Sequence, residues 1–88
     1  MNGIRKNMLG EVNKIIGLDV YTPSGILVGT VDNIVLDLKN KKVDGLFIQS
    51  PNPDLVEKRT PVNIPFRWVQ SIGGIIILRV FPKYVNAQ

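Results

Sequence analysis

The chain has 88 residues, 44% of them hydrophobic, with a net charge of +4 and neither cysteine nor histidine. That length supports one folded domain, which buries about 60–65% of the surface of its unfolded chain. The missing residue types exclude disulfides, thiolate metal sites and the commonest general base.

Residues 1–10 read as a flexible N-terminal segment, and residues 11–82 as the domain. Arg5 and Lys6 are not followed by an apolar stretch of signal-peptide length, and the longest apolar run, Gly73 to Leu78, is too short for a membrane helix, so a cytoplasmic location is expected. Between Met8 and Gly17 the spacing of Val12, Ile15 and Ile16 predicts one or two helical turns stopped at Gly17. Asp19-Val20-Tyr21 is a short strand, and Thr22-Pro23-Ser24-Gly25 a tight turn. A long strand then runs from Ile26 to about Lys39. Val31 sits on one phase, and Ile34, Leu36 and Leu38 on the other, so a bend or bulge near Asp32-Asn33 is required to turn both sets inward.

Asn40-Lys41 is a hairpin tip, and Lys42 to Gln49 returns with Leu46 and Ile48 on one face and Val43 and Phe47 on the other. Ser50 to Lys58 is a loop, and Arg59 to Pro65 a strand in which Val62 and Ile64 flank Asn63. Pro65 to Val69 is a single helical turn, Gly73-Gly74 a turn, Ile75 to Phe81 the last strand, and residues 83–88 a tail. Short, bent strands with little helix make a mostly β protein, a small barrel or strongly curved sheet.

Nothing in this order carries catalysis. The three serines have no histidine to activate them, the seven acidic residues are scattered, and the glycines lie between strands rather than ahead of a long helix. The expectation is a non-enzyme with no cofactor and no metal. The small basic groups, such as Lys39, Lys41 and Lys42, read as solvated surface, with nucleic acid as the alternative.

The run Gly17-x-x-Val20-Tyr21, Gly25-x-x-Val28-Gly29-x-Val31-x-Asn33-x-Val35-Leu36-Asp37 and Val43-x-Gly45-Leu46 resembles the PRC-barrel family. The stretch Ile64-Pro65-Phe66-x-Trp68-Val69-x-x-Ile72-Gly73-x-Ile75-Ile76 is similar to that family's final strands. The resemblance implies a β-barrel of about six short strands with one or two helical turns and no enzymatic activity. The stand-alone archaeal type, which the chain resembles most, implies a cell-division scaffold or adaptor that acts with SepF and FtsZ, at midcell near the membrane through its partners. Another PRC-barrel protein is a further partner it implies. The ribosome-maturation relatives imply the alternative, an RNA- or ribosome-associated module.

Five residues are candidates for protein contact. Ile75 and Ile77 must face outward if Ile76 and Leu78 face inward, and Phe47 opposes Leu46 and Ile48 in the same way. Grouped on one face they would form a homodimer contact, unless Met8, Leu9 and Ile15 cover them. Arg67 and Trp68 form either a binding anchor or, for Trp68, a plug at one end of the barrel.

Overall fold

The computed structural model describes residues 13–82. Seven strands form two sheets around one core. The first has the order β2-β1-β7-β6, made by β1 (Asp19–Tyr21), β2 (Leu27–Thr30), β6 (Val69–Ile72) and β7 (Ile76–Leu78). The second has the order β3-β4-β5, made by β3 (Asn33–Asp37), β4 (Lys42–Ile48) and β5 (Val62–Pro65). Among the described strands only β1 and β7 pair in parallel.

The bend required near Asp32-Asn33 is the corner between the sheets. The Val31 amide donates to the Leu18 carbonyl at 3.0 Å, beside β1, whereas the next amide, Asp32, donates to the Phe47 carbonyl of β4 at 2.9 Å. Consecutive residues thus bond to different sheets, and Val31 is buried inside the corner. The Asp32 carboxylate accepts the Gln49 amide at 2.7 Å and fastens the corner to the end of β4. The other crossing between sheets is the 3-10 turn Phe66–Trp68, between β5 and β6.

The core draws on both sheets: Val20, Val28, Ile76 and Leu78 from the first, Leu46, Ile48 and Ile64 from the second. Ile15, from the helical residues 13–15, is also a core residue. Gly17 follows with φ +93° and ends that helix, as expected. Gly25 closes the Thr22 turn with φ +87°, its amide donating to the Thr22 carbonyl at 2.9 Å.

Several expectations need correction. The loop after β4 is part of the core: Pro51, Leu55 and Val56 are buried in it, and it contains the 3-10 turn Glu57–Arg59. β5 begins at Val62 rather than Arg59, because Lys58 and Arg59 both have left-handed backbone, which no strand contains. β6 lies in the stretch that resembles the family's final strands but has no alternating apolar pattern of its own, and only Val69 of its four residues is buried. Val43 does not share a face with Phe47, because a register shift in the β3–β4 pair sets it opposite Leu36, in phase with inward Ile34. Met8, Leu9 and Val12, and the two terminal segments, lie outside the described residues.

Candidate protein-interaction surface

The first sheet carries an apolar row on its outer face. Val20 and Ile76 are paired and fully buried, so their neighbours Tyr21 and Ile77 point outward, directly opposite each other. A bulge after Val20 makes Leu27, and not Val28, the partner of Tyr21. Leu27, Tyr21 and Ile77 therefore stand side by side across three strands, followed by Ser71 on β6. Ile77 is 36% exposed, Leu27 41%, and Ile75, in phase with Ile77, 41%. Adjacent exposed aliphatic and aromatic side chains make this row a candidate contact surface.

The five candidates do not come together. Ile75 and Ile77 belong to this row. Phe47 is half-buried on β4 of the other sheet, between Asn33 and Asn63 in register, and is not part of the row that contains Ile77. Trp68 is half-buried against the core, its ring edge-on to Phe81 with centroids 6.1 Å apart and planes at 82°. Its carbonyl accepts the Arg79 amide at 2.7 Å, and the next carbonyl, of Val69, accepts the Arg79 guanidinium at 3.1 Å. Trp68 thus packs against the core while staying half-exposed, with Arg67 exposed beside it. Ile15 lies in the core and does not cover the outer row.

Sequence reading missed Tyr21 and Leu27. The alternation in Asp19-Val20-Tyr21 marks Tyr21 as outward, but its meeting with Ile77 depends on a parallel pairing of two strands more than fifty residues apart. No local pattern carries that register.

The PRC-barrel domain profile matches residues 10–84. The chain belongs to the PRC-barrel family. No curated protein matches it. In this PRC barrel no cluster of histidine, cysteine or carboxylate side chains suited to a metal occurs among the described residues, and no described helix is long and apolar enough to cross a membrane. The hairpin tip between β3 and β4 is built on Asp37: its carboxylate accepts the Asn40 amide at 3.1 Å and the Asn40 side-chain amide at 2.8 Å. Those bonds hold Asp37 below the ordinary carboxylate range, with a smaller contribution from Lys42. Lys39, Lys41 and Lys42 are exposed around it.

Proposed function

We propose that this PRC-barrel protein is a non-enzymatic adaptor that binds other proteins, and a second copy of itself, through the outer face of its first sheet. The observation that carries this reading is the row Leu27, Tyr21 and Ile77, completed by Ile75. A domain of this size has little apolar surface to leave in water, and covering these side chains is worth roughly 25 cal/mol for each square ångström removed.

The narrower role is that of an archaeal cell-division component in the cytoplasm, with SepF and FtsZ as the partners to examine first. Its support is the resemblance of the glycine and aliphatic pattern to the stand-alone archaeal type. The second reading, an RNA- or ribosome-associated module, is supported by the three exposed lysines at the β3–β4 tip.

Affinity capture from a native cell extract separates the two, with wild type and Ile77→Lys as baits and nuclease-treated and untreated arms. The adaptor reading predicts proteins that are retained by wild type after nuclease and lost by Ile77→Lys. Capture that disappears with nuclease and survives the substitution replaces it with the RNA reading.

A further inference from the structure

The two sheets end in four strands, and three of those edges are guarded. On β2 the Asn52 backbone amide donates to the Val28 carbonyl at 2.7 Å, and its side-chain amide to the Leu27 carbonyl at 2.8 Å. β5 ends in Pro65, which has no N–H, and follows Pro61. β6 has four residues interrupted by a bulge at Gln70. β3 differs: β4 lies on one side, and no described strand lies on the other. Its five residues Asn33-Ile34-Val35-Leu36-Asp37 contain no proline, no lysine and no central charge, and the extra residue of the β3–β4 bulge, Asp44, lies on β4 and not on this edge. The Ile34 amide is held by the side chain of Asn33 at 2.8 Å, a local substitute for a strand partner.

The geometry points to a second copy of this chain as the occupant of that edge, its β3 running antiparallel about a two-fold axis at Val35. The strand reads polar, Ile, Val, Leu, acidic, so reversing it reproduces its chemistry. Val35 then faces Val35 of the second copy, Ile34 faces Leu36, and Asn33 faces Asp37, so the Asn33 amide nitrogen meets a carboxylate and like charges never oppose each other. The two lysine-bearing tips point in opposite directions, whereas a parallel pairing would set them side by side. Ile34 exchanges its bond to Asn33 for one to Leu36, and two three-stranded sheets become one of six strands. This contact is separate from the Ile77 face, so a chain using both two-fold contacts assembles beyond a dimer.

The chain has no cysteine, which permits a single-thiol test. Opposed residues outside a hydrogen-bonded pair have Cα atoms about 4.5 Å apart, inside the roughly 4.4–6.8 Å that a disulfide spans. Val35→Cys should therefore cross-link to itself under mild oxidation. Asn33→Cys should not, because its equivalents lie about 13 Å apart in the same register. Ordering two thiols raises their effective concentration, so Val35→Cys should outpace Asn33→Cys by at least about tenfold at micromolar protein. The advantage should disappear in Val35→Cys/Leu36→Lys and persist in Val35→Cys/Ile77→Lys, with far-UV circular dichroism showing that each variant is folded. Equal cross-linking of Val35→Cys and Asn33→Cys overturns the proposal. So does an advantage that Ile77→Lys removes and Leu36→Lys does not.

Discussion

Tyr21 and Ile77 lie opposite each other on the parallel pair β1 and β7, with their buried neighbours Val20 and Ile76 opposite each other one step back. One pairing thus sets two layers at once. The inner residues make the centre of the core, and the outer ones make the middle of an apolar row that continues to Leu27. Parallel registry between strands so distant in the chain means that the surface exists only when the core has formed.

The core itself is the first thing to perturb. Leu46 is fully buried on the central strand of the second sheet, and Leu46→Ala should cost about 2–5 kcal/mol in urea or thermal unfolding. Leu38, at the hairpin tip, is 78% exposed, and Leu38→Ala should stay within about 0.5 kcal/mol of wild type. Equal costs would mean that the tip is packed in solution.

Gly45 allows β4 and β5 to approach closely. A Cβ there would collide with the Asn63 side chain and come within 3.0 Å of the Ile64 carbonyl oxygen. Gly45→Ala should therefore destabilise by about 1–3 kcal/mol, as overpacking does. Gly73, in the turn before β7, has nothing within 4 Å of the same added atom, and Gly73→Ala should change stability by less than about 0.5 kcal/mol. A neutral Gly45→Ala would show that Asn63 gives way without loss.

Much of this was legible in the sequence, and the failures have physical causes. The change of phase between Val31 and Ile34 announced the corner, because no uniform strand turns both inward. Ile76 and Leu78 were separated from Ile75 and Ile77 by alternation alone. The loop after β4 was misread because prolines and polar residues surround Leu55 and Val56, and only tertiary packing shows those two buried. Phe47 was grouped with Ile77 because both point outward, and alternation does not say which sheet a strand joins.

Asp37 makes the β3–β4 tip sensitive to acid. A carboxyl group held lower in the folded chain than in the unfolded one stabilises the fold above its unfolded pKa. That stabilisation fades as pH falls through the folded value. The bonds to Asn40 lower Asp37, so the tip should loosen on acidification below the ordinary carboxylate range. In an NMR titration the Asn40 amide should shift with a midpoint below that of the same residues in an unstructured peptide. The stability difference between wild type and Asp37→Asn should shrink over the same pH range. A midpoint equal to the peptide's would show that the carboxylate bonds are absent in solution.

Reversing the charge of the tip tests the RNA reading. Lys39, Lys41 and Lys42 are all exposed, but Lys42 stands opposite Asp37, so the triple substitution to Glu should leave the circular dichroism spectrum close to wild type and lower the thermal midpoint only modestly. The adaptor reading predicts no tight RNA binding for it to remove. If wild type binds RNA with steep salt dependence and the triple variant does not, phosphate contacts at the tip are the function.

The central claim, contact through the Ile77 face, is tested most directly by sedimentation at micromolar concentration in a Leu36→Lys background, where the β3 edge is blocked. Leu36→Lys alone should sediment as a dimer, at twice the 9.8 kDa of the chain, and Leu36→Lys/Ile77→Lys as a folded monomer of 9.8 kDa. A lysine at Ile77 must otherwise be buried without a partner, and parting the dimer is the cheaper outcome. If Leu36→Lys is already monomeric, or the double variant remains a dimer, the outer face of the first sheet is not where two copies meet.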